Sequence, residues 1–128
     1  MRDSDSDGNQ SCVAIANVVR DYVEGLVQGD ATKLRRVMHE RACEIGHFDG
    51  ELLWQDRETM IAMVQQMTAE PDLNPNWRIH SINVDGEVAV VRVEDDWVGS
   101  NYLDVLTLLR HDGQWVIVSK VFHQRQSG

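Results

Sequence analysis

The sequence predicts an α+β fold of three helices and an antiparallel sheet. Apolar residues recur at spacings of three and four in the first third of the chain, and three Asp-Gly pairs punctuate the rest. Helical and extended segments are segregated, without the βαβ alternation that a parallel sheet needs. Within residues 13–28, Ile15, Val18, Val19, Tyr22, Val23, Leu26 and Val27 form one helical stripe. Ser11 is placed to cap its start, and Gly29 to end it at a positive φ. Asp30 then caps a short second helix that turns Leu34, Val37 and Met38 inward. After His39 the pattern becomes extended. Asp49-Gly50, Asp85-Gly86 and Asp112-Gly113 each signal a type I′ hairpin, joining residues 42–48 to 51–54, 77–84 to 87–97, and 102–111 to 114–123. Between the first two hairpins, Asp56 caps a third helix with Met60, Ile61, Met63, Val64 and Met67 on its apolar face. Pro71 and Pro75 bracket a stretch that breaks regular structure.

The strands carry a further expectation. Val88-Ala89-Val90-Val91, Val105-Leu106 with Leu108-Leu109, and Val116-Ile117-Val118 are apolar on consecutive residues, whereas a sheet with one wet face alternates. Three helices cover one face, so a second copy of the chain is expected on the other, as a homodimer through an isologous sheet contact.

Composition narrows the partners. The 128 residues suit one domain, placed at residues 11–125. Residues 1–10, with three aspartates and no apolar run, are expected to form a disordered tail and do not resemble a signal peptide. A net charge of −9 argues against nucleic acid, and the basic group Lys33, Arg35, Arg36 and Arg41 is interrupted by Glu40 as on a solvated helix face. No run approaches the ~18 apolar residues of a membrane span, so no membrane partner is expected. Cys12 and Cys43 are expected to be plain thiols in a reducing cytoplasm.

Arg20-Asp21-Tyr22-Val23-Glu24-Gly25 leading to Gly29-Asp30, the His39 step into a strand, and Val105-Leu106-Thr107-Leu108-Leu109 before the run from Asp112-Gly113-Gln114-Trp115 to Val121-Phe122 form an ordered set. It resembles the putative lumazine-binding, SnoaL-like (ketosteroid-isomerase-like) group of the nuclear-transport-factor-2-like (NTF2-like) superfamily. The resemblance implies a cystatin-like cone whose sheet curls round the helices and leaves an apolar cup open at one end. It does not choose a chemistry, since the superfamily includes isomerases, cyclases, dehydratases, epoxide hydrolases and pure binding modules. Isomerase-like relatives use a tyrosine on the first helix and an aspartate base on the first strand. Tyr22 matches the tyrosine, but the base falls at or near Gly46, which accepts no proton.

Candidate ligand contacts are Tyr22, His47, Trp54, Trp97, Tyr102 and His123. His47 adjoins position 46 but points the other way unless a bulge intervenes. Trp97, after Glu94-Asp95-Asp96 and before a loop at residues 98–101, is placed either at the cup's rim or on an acidic edge strand. Asp96 and Asp104 sit on adjoining strands, where a carboxylate pair is conceivable. His39, Cys43 and His47 are four apart, but the helix ends before Ala42 and the alignment is lost, so neither metal nor cofactor is expected. The expected function is a small-molecule-binding protein with an apolar cup, its ligand apolar or aromatic. The alternatives are an enzyme of the polyketide-cyclase, dehydratase or isomerase type using general acid–base chemistry, and a dimerisation module without a ligand.

Overall fold

In the computed structural model, which describes residues 4–125, helix α1 spans Ser4–Gln28 and buries Ile15, Val19, Tyr22, Val23, Leu26 and Val27 along one face. The stripe is the expected one, but the start is not: Ser11 lies inside the helix rather than at its cap. Once the buried turns are formed, each added residue gains one hydrogen bond, so the helix extends upstream of its apolar stripe. Residues 1–3 of the expected tail lie outside the described residues. Gly29 ends α1 at φ 66°, and Asp30 caps α2 (Ala31–Val37) by accepting the Lys33 N–H at 3.1 Å. Asp56 caps α3 (Arg57–Met67) in the same way, accepting from the Thr59 N–H at 2.8 Å.

Six strands follow from the remaining segments: β1 (Met38–Phe48), β2 (Glu51–Asp56), β3 (Trp77–Asp85), β4 (Val88–Trp97), β5 (Ser100–His111) and β6 (Gln114–Gln124). They form one sheet in the order β2-β1-β6-β5-β4-β3. Every pairing is antiparallel except that of β1 with β6, which is parallel. The sheet is therefore mixed, because the β1–β2 hairpin joins the β3–β6 meander along its last strand. β4 lies inside the sheet, not at its edge, so the acidic run Glu94-Asp95-Asp96 does not guard an edge.

Two of the expected turns form as read, with positive φ at Asp49 and Gly50 and at Asp112 and Gly113. In the middle hairpin Asp85 pairs with Val88, so the central residues are Gly86 and Glu87, with positive φ on Gly86 alone. A fourth tight turn replaces the expected loop at residues 98–101: Trp97 pairs with Ser100 across Val98 (φ 48°) and Gly99 (φ 80°). A β-branched residue in this left-handed region is strained by about 1–2 kcal/mol.

The helices cover the concave face of the sheet, where Ala89, Val91 and Val93 of β4 and Leu106 and Leu108 of β5 join the core. The intervening residues point the other way. Trp54, Ile45, Val121 and Val105 form a row across β2, β1, β6 and β5, with Val88 and Val90 nearby on β4. Of these, Trp54 is 67% exposed and Val121 48%. Consecutive apolar residues in the sequence thus correspond to two apolar faces.

Candidate functional site

Strand alternation puts Glu44 and Gly46 of β1, Asp95 and Trp97 of β4, and Tyr102 and Asp104 of β5 on the concave face, all of them buried. On β6 the alternation is broken. Thr107 pairs with Ser119 while Leu108 pairs with Ile117, leaving Val118 as an extra residue. Before this bulge Trp115 and Ile117 face inward; after it Lys120 and Phe122 do. One inserted residue therefore brings a lysine into the cup and turns His123 out.

The result is a charged cluster in an apolar core. Lys120 Nζ lies 2.8 Å from Glu44 Oε2 and 4.0 Å from Asp104 Oδ2. Gln55 donates to Glu44 Oε1 at 2.6 Å, and the Tyr22 hydroxyl donates to Asp104 Oδ2 at 2.7 Å. Asp95 and Asp104 are 0% exposed, and with both ionised the two Asp95 oxygens and Asp104 Oδ1 have no partner. Burial first, and then the Asp104 charge, push the Asp95 carboxyl well above its ordinary range. A proton kept on Asp95 and donated to Asp104 relieves the repulsion, as in other close carboxyl pairs. Burial alone lowers the lysine's affinity for its proton, but Asp104, Glu44 and Asp95 together raise it, so Lys120 stays an ammonium. The Tyr22 hydroxyl is held protonated by burial and by the two aspartates.

Glu44, Asp95 and Lys120 line a cavity of about 20 Å³, roofed by Leu26 of α1 and by Met63 and Val64 of α3. That volume accommodates about one water. Its aromatic wall is a chain of rings, Phe48–Trp97, Trp97–Tyr102 and Tyr102–Phe122, with centroids 6.4, 6.1 and 6.0 Å apart. The Trp97 indole N–H donates to Thr68 Oγ1 at 3.0 Å. Trp97 also lines a second, outer pocket of about 380 Å³.

Three of the expected contact residues are brought together: Trp97 and Tyr102 line the cavity, and Tyr22 lies beneath it, bonded to Asp104. The other three are not. His47, Trp54 and His123 point to the convex face, where His47 pairs with Leu52 and with His123. Pairing is continuous from Cys43 to Phe48, so no bulge turns His47 inward. The conceivable Asp96–Asp104 pair is in fact Asp95 with Asp104, because Asp96 has the opposite parity and is held by the Asn76 and Asn101 amides at 2.9 and 2.7 Å. Among the described residues no three His, Cys, Asp or Glu side chains are arranged to hold a metal ion. Glu44 and Lys120 were not singled out from the sequence. Their signal was present only as charge at positions whose i±2 neighbours are apolar or glycine.

Gly46 has a structural explanation. A Cβ there would lie 2.6 Å from the Phe122 carbonyl oxygen and 2.7 Å from its ring, so only glycine lets Phe122 close the cup. An acid at this position is sterically excluded.

A cone of mixed sheet around helices, with polar groups gathered on its concave floor, defines the NTF2-like class. Within it, the chain belongs to the family described as "Putative lumazine-binding", whose model matches residues 10–123. It is similar to a solved NTF-2 like protein of unknown function from Silicibacter pomeroyi DSS-3, at 40% identity and TM-score 0.88, over 92% of this chain and 98% of that one. A solved NTF2-like protein of unknown function from Shewanella baltica OS155 is 27% identical, with TM-score 0.84, over 92% and 96% of the two chains. Among curated proteins, a relative named aldolase FrzH, from Cladobotryum sp, is 24% identical over 102 residues, 80% of this chain and 82% of that protein. Among the described residues no helix is long and apolar enough to cross a membrane.

Proposed function

We propose that the chain is a small-molecule-binding protein whose ligand enters the concave cup and meets the polar floor formed by Asp95, Glu44 and Lys120. The carrying observation is the burial of three carboxyl groups and one ammonium beside a cavity, with an Asp95 oxygen left without a partner. A core serving stability alone gains nothing from such a cluster, since well-packed apolar groups of similar volume are as stable or more so. The cup is thus apolar on its walls and charged at its floor. Ligand pockets usually measure ~300–1,000 Å³, so binding has to move wall residues, and Met63, unbranched and adaptable, is the natural one. The test is a melting-temperature screen against a chemically diverse fragment set, followed by structures of the hits. Hits seated on Asp95 with Met63 displaced support the reading, and hits found only on the convex face would refute it.

A second copy is proposed to cover the convex row Trp54, Ile45, Val121 and Val105, since an apolar patch of this extent is characteristic of an interface. The two cysteines, free thiols in the structure, suit a cytoplasmic protein. Enzymatic acid–base chemistry is the second reading, favoured by one observation: beside the cavity, burial and the neighbouring Asp104 raise the Asp95 carboxyl well above its ordinary range. The aldolase name of the distant relative is compatible with it.

A further inference from the structure

Four features of the cup bear on what its ligand carries. Asp95 is fully buried and lines the cavity, and after sharing one proton with Asp104 it still has an oxygen without a partner. The same cavity is walled by the rings of Phe48, Trp97, Tyr102 and Phe122, whose π faces attract cations. Lys120 Nζ already uses this property, lying 5.3 Å from the centroid of Tyr22 and 5.5 Å from that of Phe122. The floor holds three carboxyl groups, Glu44, Asp95 and Asp104, against the single ammonium of Lys120.

The outer pocket repeats the imbalance. Among the described residues its lining includes Glu70, Asp72 and Asp96 and no lysine, arginine or histidine, and Trp97 is common to both spaces. Asp96 is satisfied by amides rather than by a cation. A vestibule of one sign, in a chain of net charge −9, raises the local concentration of cations. The sizes agree as well: a cavity of about 20 Å³ fits an ammonium head, and the outer pocket of about 380 Å³ fits the body that carries it.

We propose that the ligand of this cup is an amine, its protonated nitrogen seated against Asp95 among the aromatic rings and its apolar body lying past Trp97 in the acidic vestibule. This rests on the cup being a ligand site, and it adds the chemical class. A seated cation takes the place of the proton on Asp95, so that each binding event releases about one proton. The titratable groups that face or adjoin Asp95 are Tyr22 from α1, Glu44 from β1, Asp96 on β4, Tyr102 and Asp104 from β5, and Lys120 from β6. Tyr22 and Lys120 hold their protons through neutral pH. Affinity therefore rises with pH as long as the amine itself stays protonated.

Titration calorimetry with benzylamine and benzyl alcohol, each in two buffers of different ionisation enthalpy at neutral pH, tests this. Benzylamine is expected to bind about 10-fold more tightly or better, a difference of ~1.4 kcal/mol, with a buffer-dependent heat equivalent to about one proton. Asp95→Asn is expected to abolish both the preference and the proton release while its melting curve stays cooperative. The wild-type proton count stands on its own if that variant fails to fold. Equal binding of the two probes, or binding of the amine without proton release, overturns the amine assignment and leaves the cup as a ligand site. No heat from either probe, with a solved cup no larger than one water and no fragment hit in it, overturns both.

Discussion

On the concave face of the sheet Glu44, Asp95, Asp104 and Lys120 are withdrawn from water, while on the convex face Trp54, Val88, Val90 and Val121 stand in it. Each face carries the chemistry that a monomer designed only for stability would give to the other. The concave charges forgo the stability that apolar packing would supply, and the convex side chains forgo the burial that is worth ~25 cal/mol per Å² of apolar surface. Both departures fit the proposals made above, a ligand for one face and a second copy for the other.

The largest effect is expected on the concave side. Lys120→Ala leaves Glu44 and Asp104 facing each other without a cation, and urea unfolding at neutral pH should show a loss of about 3–5 kcal/mol. A loss under 1 kcal/mol would mean that the carboxyls simply take up protons, and that the cluster is less tightly set than its distances suggest. On the convex side, Val121→Lys places a charge at the centre of the proposed contact. Sedimentation should show dimerisation weakened by at least about 30-fold, the ~2 kcal/mol of a buried unpaired polar group or more. A wild-type chain that sediments as a monomer at micromolar concentration would remove the convex half of the comparison altogether.

Smaller effects sharpen the concave half. Gly46→Ala pushes a Cβ into the Phe122 carbonyl and ring, and backbone there cannot yield cheaply, so a destabilisation of about 1–3 kcal/mol is expected in urea. Asp95→Asn keeps the shape and the donor to Asp104 but removes the titration. A carboxyl whose folded pKa is raised gives stability that is fully present below its unfolded pKa of about 3.9 and is lost as pH rises from there through the folded value. The variant should therefore gain on wild type as pH rises, by about 1 kcal/mol or more at neutral pH, with no gain below about pH 4. Parallel stability curves for the two proteins would show that Asp95 ionises normally.

The elements themselves were legible because each is written locally. The α1 stripe, the Asp30 and Asp56 caps and the Asp49-Gly50 and Asp112-Gly113 turns depend on residues within a few positions of one another. Half of the candidate site was not legible, and the reason is geometric. Whether His123 or Lys120 enters the cup is decided by the extra residue Val118, a pairing irregularity that has no local sign in a run as uniform as Val116-Ile117-Val118. Asp95 could have been found: Val91, Val93 and Trp97 share its parity, which makes it a charge on a buried face. The apolar residues on both parities of β4 hid that alternation. The parallel β1–β6 pair joins residues about 75 positions apart, such as Ile45 and Val121, and nothing local announces it.

That pairing also orders events during synthesis. Glu44 sits on the first strand and its lysine on the last, and between them lies the chain that builds β2 through β5. On a ribosome the acids of the cup therefore wait, still hydrated, until β6 emerges and slides in beside β1. Contacts this distant in sequence close slowly. The final strand acts as a keystone, and a nascent chain halted before Lys120 has every helical segment but neither a finished sheet nor the cation of its floor.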